Sequence, residues 1–235
     1  MTSATLGVGG KELAYFRKRV GADHATEQVF GSPFDYAKQM RVYLVKAMPD
    51  PNGKGYVEAL QKWIGHFVSQ SRGRAFVLFT SYQTMRATAQ GMAGFFEDND
   101  WTLLVQGSGR PRHQLIEEFK EDTSSVLFGT ESFWTGVDVP GSALSNVIIT
   151  RLPFAVPDHP LTAARLEAIE ARGGKAFMEF SVPEAILKLR QGVGRLIRSN
   201  RDRGIVVILD NRVLTKFYGK SFLEALPPAE REIIS

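Results

Sequence analysis

Apolar and polar positions along this chain follow two periods, and their alternation predicts its architecture. Short apolar runs bounded by turn residues predict strands over 42–46, 75–79, 102–105, 125–128, 147–150 and 205–209. Between them, spacings of three and four residues predict helices over 56–70, 82–97 and 114–120; in the first, Leu60, Ile64, Phe67 and Val68 share one face. Strands alternating with helices predict an α/β fold, a parallel sheet of about six strands with crossover helices on its faces. Gly31-Ser32-Pro33-Phe34 interrupts the pattern, because proline holds the preceding residue extended and Gly-Ser punctuates the chain. The sheet is expected after that break, behind a polar amino-terminal stretch with a short helical segment over 11–20.

The segment before the last predicted strand carries the most unusual polar pattern. Ile186, Leu189, Val193, Leu196 and Ile197 form an apolar stripe, while Gln191, Arg195 and Arg198 fall at i, i+4 and i+7 and are expected on another face. Ser181 followed by Glu184 reads as a capping box, with Pro183 tolerated in the first turn. Gly192 and Gly194 each cost a helix about 1 kcal/mol relative to alanine, which points to close backbone approach. Planar guanidiniums beside an open backbone suit a polyphosphate. The same octet also suits an amphipathic surface helix with a solvated basic face.

Three loops after predicted strands carry further candidates. Thr80-Ser81-Tyr82 reads as a helix N-cap, and a helix start with two hydroxyls also grips a phosphate. Residues 129–141 hold three glycines, Thr130, Ser132 and Asp138, a set suited to a sugar-phosphate backbone and a nucleotide; a tight turn with Phe133 and Trp134 in the core explains the glycines but not the hydroxyl pair. Gln106-Gly107-Ser108-Gly109-Arg110-Pro111-Arg112 reads first as a solvated basic turn, in which Arg110 and Arg112 become phosphate contacts if nucleic acid crosses this face.

Composition changes the picture little. The 235 residues are 43% hydrophobic and 23% charged, as in ordinary globular proteins, and the net charge of +4 is compatible with nucleic acid without demanding it. With no cysteine, neither a disulfide framework nor a thiolate metal site is possible, and His24, His66, His113 and His159 share no ligand spacing, so no metal site is expected. No apolar run approaches the roughly 20 residues of a membrane span, and the first residues do not read as a signal peptide, so a cytoplasmic protein is expected.

Gln-x-x-Gly-Arg-x-x-Arg at 191–198 resembles the last helicase motif of superfamily 2 motors, and Gln-Gly-Val-Gly-Arg-Leu-Ile-Arg is similar to its form in the DinG/XPD-like DNA helicases. Leu152-Pro153-Phe154, and Asp202-Arg203-Gly204 leading into Ile205-Val206-Val207-Ile208-Leu209-Asp210, fit the same family. Thr80-Ser81-Tyr82 resembles its Phe-x-Ser-Tyr motif for the nucleic-acid strand, and 129–141 its fifth motif, with Thr135 where a glutamate is usual. Ser3-Ala4-Thr5 resembles the motif that ends the first motor lobe and couples nucleotide state to nucleic-acid binding.

The resemblance implies a RecA-like second motor lobe over 32–235, P-loop NTPase-like without its own P-loop, preceded over 1–31 by the tail of the first lobe. No Gly-x-x-x-x-Gly-Lys-Ser/Thr and no acidic magnesium motif occurs. ATP and Mg²⁺ would be held mainly by that first lobe, and any iron–sulfur cluster would lie outside this chain. Arg198 and Arg195 would reach the γ-phosphate, Gln191 would support them, and Gly136, Asp138 and Gly194 would face the nucleotide. Thr80, Ser81, Tyr82, Thr130, Ser132, Arg110 and Arg112 would contact single-stranded DNA, with 5′-to-3′ translocation and DNA repair as the family's roles. The alternative is a nucleic-acid-binding or interaction module that kept the lobe and lost the engine. A small-molecule α/β enzyme is disfavoured by the lack of a convergent nucleophile, base and metal set.

Overall fold

A computed structural model describes residues 7, 8, 13–134, 139 and 143–235. Its centre is a sheet of seven parallel strands: β1 (Met40–Val45), β2 (Ala75–Leu78), β3 (Leu103–Val105), β4 (Val126–Gly129), β5 (Asn146–Ile149), β6 (Gly204–Ile208) and β7 (Glu230–Ile234), in the order β3-β4-β2-β5-β6-β1-β7. Strands β2, β4 and β5 are buried along their whole length, which is why they read as continuous apolar runs. Alternate side chains enter two cores. Phe76, Leu78, Leu127, Val147 and Ile149 meet the helix Val182–Val193 on one face. Val77, Val126, Phe128 and Ile148 meet the helix Tyr56–Ser71 on the other.

Six strands fall where the sequence puts them, within one to two residues. The seventh was not expected. In β7 the residues Glu230, Arg231 and Glu232 hide the strand period, yet Arg41 pairs in register with Glu230 and their side chains form an ion pair at 2.7 Å. The helix expected over 82–97 is two, Tyr82–Gly91 and Ala93–Asp98, jointed at buried Met92. A Cβ on Gly91 would meet only the mobile end of the Gln61 side chain, its amide nitrogen at 2.2 Å.

Two local expectations fail around the helix Val182–Val193. Ser181 is no cap: its φ of −63° and ψ of −45° are helical, and it continues a π-helical stretch, Phe177–Ser181, into the α-helix without a side-chain cap bond. Glu184 instead accepts the Tyr15 hydroxyl at 2.5 Å and pairs with Arg19, docking the short helix Ala14–Arg19. At the other end the helix stops at Val193, with Gly194 as its C-cap at ψ 0°. Arg195 and Arg198 therefore lie in the turn beyond it, and the shared helical face with Gln191 does not form.

Candidate functional site

Parallel strands bring their carboxyl ends to one edge. The register sets Leu78 beside Gly129 and Val105 beside Phe128, so the residues after β2, β4 and β3 emerge side by side. Thr130 and Gln106 directly follow β4 and β3, and Thr80 lies two residues beyond the end of β2, ahead of Tyr82. Gln106 joins them: its Oε1 accepts the Thr130 backbone N–H at 2.7 Å and the Thr130 hydroxyl at 2.9 Å, while its Nε2 donates to the Tyr82 hydroxyl at 2.6 Å and to Ser132 Oγ at 3.0 Å. Ser81 caps its helix, its Oγ accepting the Thr84 N–H at 3.3 Å. Tyr82 and Ser132 are exposed, whereas Thr130 is 2% exposed with its hydroxyl turned inward. Thr130 thus braces the loop from below.

Both readings of the 129–141 loop describe part of it. Phe133 and Trp134 are fully buried, and a Cβ on Gly129 would stand 2.6 Å from the Phe133 side chain, so only glycine lets the ring fold back under β4. The hydroxyl pair that this turn left unexplained is the one gathered by Gln106. Gly136 and Asp138 lie outside the described residues, as do Ser3, Ala4 and Thr5.

Trp134 links this edge to the arginine segment. Its Nε1 donates to the Phe79 carbonyl at 2.9 Å, one residue before Thr80, and its own carbonyl accepts Arg195 Nη2. A Cβ on Gly192 would meet Leu78 at 3.0 Å and the indole at 3.1 Å, which is the close approach this glycine predicts; Gly194 is crowded only by the Arg190 carbonyl of its own helix. Arg195 is 5% exposed, against the expectation of a solvent-facing partner to Arg198, because the helix ends before it and the turn swings it onto the Trp134 carbonyl. Gln191 is half-buried on the last turn.

Arg198 is exposed, and its loop is fastened through the backbone. Asp202 accepts the Arg198 N–H at 2.7 Å, the Ser199 N–H at 2.8 Å and the Ser199 hydroxyl at 2.8 Å. Buried Gln39, just before β1, donates to the Ser199 and Asp202 carbonyls at 2.8 and 3.1 Å. This loop precedes β6 and so joins the amino ends of β1 and β6, apart from the Gln106 cluster. Arg110 pairs with Glu118, and Arg112 lies 5.4 Å over the Phe133 ring; they flank the cluster from the turn after β3.

Burial alone would raise the Asp202 pKa, but the Arg198 and Ser199 donors outweigh it and hold the carboxyl below its usual value. A lowered pKa contributes stability that is complete above the ordinary carboxylate range, about 4, and is lost as pH falls through the lowered value. Hydrogen-exchange protection of the Arg198 and Ser199 amides, corrected for intrinsic rates, should hold from neutral pH to about 5 and then decline. Asp202→Asn should flatten that profile; protection that stays constant down to pH 3 in the unmodified chain would contradict the assignment.

Sequence reasoning missed Gln106, Trp134, Asp202 and Gln39 as organisers. A signal existed for Gln106, which directly follows an apolar strand where parallel sheets place their chemistry. Among the described residues no cluster of three or more His, Asp or Glu could hold a metal, and no helix is long and apolar enough to cross a membrane.

Residues 64–229 match the family described as Helicase C-terminal domain. The chain is 43% identical over 231 residues to the ATP-dependent DNA helicase YoaA of Haemophilus influenzae, covering 98% of this chain and 35% of that protein. It is 38% identical over 233 residues to the 3′-5′ exonuclease DinG of Bacillus subtilis, covering 97% and 25%. A solved XPD helicase superposes with a TM-score of 0.68 at 17% identity, over 99% of this chain and 42% of that one, a likeness of fold alone. The chain spans about a third of the length of YoaA, and with its parallel RecA-like sheet and its Gln-x-x-Gly-Arg-x-x-Arg segment it belongs to the helicase C-terminal domain family, in its DinG/XPD-type branch.

Proposed function

We propose that this chain works as the second motor lobe of an ATP-dependent DNA helicase and that the edge formed after β3, β4 and β2 binds the backbone of single-stranded DNA. The observation that carries the reading is the gathering of Tyr82, Thr130 and Ser132 around Gln106 on that edge. The exposed Tyr82 and Ser132 hydroxyls and the Ser81-capped helix start offer donors to phosphate oxygens, Thr130 bracing the loop beneath them, and Arg110 and Arg112 add positive charge on the flank. Residues 1–31 are assigned to the first lobe, with Ser3-Ala4-Thr5 as the coupling element.

ATP would sit between the lobes, its phosphates and Mg²⁺ held by the first. Arg198 is the residue assigned to the γ-phosphate, since its side chain is exposed while its backbone is tethered. Arg195 is held on the Trp134 carbonyl, and Gly136 and Asp138 are assigned to the nucleotide. Gly194 leaves the backbone open beside Gln191. Hydrolysis would release the lobes to step along the strand, 5′ to 3′.

The test uses the complete protein. Thr80→Ala with Ser132→Ala should weaken binding of single-stranded DNA about equally for all sequences, because phosphate contacts carry no sequence information. Unchanged affinity and salt dependence would refute the interface. The isolated chain should show no DNA-stimulated ATP hydrolysis above the level of its own Arg198→Ala variant; a clear excess would place the whole engine within this chain. A second reading, a binding module without motor activity, draws on the Bacillus subtilis relative that is named for exonuclease activity. It predicts DNA binding by the complete protein that ATP leaves unchanged.

A further inference from the structure

Gln106 does more than hold three loops together, because its orientation is fixed. The Thr130 backbone N–H can only donate, so the Gln106 atom 2.7 Å from it must be the carbonyl oxygen, and the amide nitrogen must face Tyr82 and Ser132. The amide then uses two acceptor and two donor places. A hydroxyl has one proton. Thr130 gives its proton to Gln106 Oε1, but Tyr82 and Ser132 accept from Nε2, a donor to which neither can give a proton. Both O–H bonds are thereby turned away from the amide, at residues exposed to solvent, Tyr82 by 47%.

We propose that Gln106 is a positioning residue that sets the polarity of this edge: by donating to Tyr82 and Ser132 it presents two O–H donors together to an acceptor-only anion, a phosphodiester oxygen. This rests on the nucleic-acid reading of the same edge and deepens it. Both hydroxyl oxygens lie against one nitrogen, so a single phosphate spans the pair. The interaction is charge-assisted and indifferent to sequence.

The experiment is a double-mutant cycle in the complete protein, read by binding of fluorescent oligo-dT and a mixed-sequence single strand across a salt series. Gln106→Glu keeps size and shape but supplies only acceptors, so the Tyr82 and Ser132 protons turn inward. It should weaken both DNAs by about 10-fold. In a Tyr82→Phe, Ser132→Ala background the same change should cost less than about two-fold, since the hydroxyls it acts through are gone. Equal losses in the two backgrounds would mean that the new charge, or a fold defect, acts by itself, and the inference would be overturned. If the Tyr82→Phe, Ser132→Ala protein bound DNA normally, the interface reading itself would fall, a separate outcome. Gln106→Met, neutral and of similar length, should show the same background dependence with a smaller loss and keeps the test open if the glutamate variant melts early.

Discussion

Alanine at position 198 is expected to lower the ATP turnover of the complete protein by about 10³ while leaving its fold and DNA affinity nearly untouched. The separation follows from how the loop is tied. Asp202 holds the backbone N–H of residue 198, and Gln39 holds the carbonyls of Ser199 and Asp202; these bonds survive removal of the arginine side chain. A rate lost without loss of stability identifies a group that acts on developing phosphate charge. Lysine should restore little, since a point charge cannot reproduce a planar fork. A merely solvated basic face predicts near-normal turnover and a stability change within about 0.5 kcal/mol. ATPase rates, thermal melts and DNA binding on the alanine and lysine variants decide between the two.

Trp134→Ala is expected to be the most damaging single change to the fold, at about 3–5 kcal/mol. The indole is fully buried, its N–H is satisfied by the Phe79 carbonyl at 2.9 Å, and Gly192 is bare so that the helix Val182–Val193 can rest against it. Truncation removes packing on two sides and leaves a carbonyl without its donor. For a domain of this size the loss corresponds to a fall in Tm of roughly 6–20 °C. Trp134→Phe keeps most of the volume and drops only the N–H, so about 1–3 kcal/mol is expected. An alanine variant that melts within a degree of the unmodified chain would contradict this packing account.

The sheet was legible because each inner strand is a buried run with a single period, and helices with a one-sided stripe, such as Leu60, Ile64 and Phe67, advertised the face they cover. β7 was not, since an edge strand is free to carry Glu230, Arg231 and Glu232. The capping box at Ser181 failed because helical structure already runs through Phe177–Ser181, a continuation no local pattern announces. The polar face of Gln191, Arg195 and Arg198 failed by a single residue: spacing arguments hold only while the helix lasts, and Gly194 ends it. Gln106 stayed invisible for another reason. Its partners are 24 and 26 residues away, brought to it by strand order rather than by sequence.

The strand order also sets a timetable for the nascent chain. β2, β3, β4 and β5 all lie between residues 75 and 149 and complete one side of the sheet among themselves. β1 pairs only with β6 and β7, and Met40 meets Gly204, made 164 residues later. At about 5–20 residues per second of synthesis, an apolar strand waits roughly 8–33 s with both hydrogen-bonding edges open. During that interval Val42, Leu44 and Val45, fully buried at the end, have no permanent cover. The step most exposed to aggregation in making this lobe is therefore the late capture of β1, and slower translation beyond residue 45 lengthens the exposure.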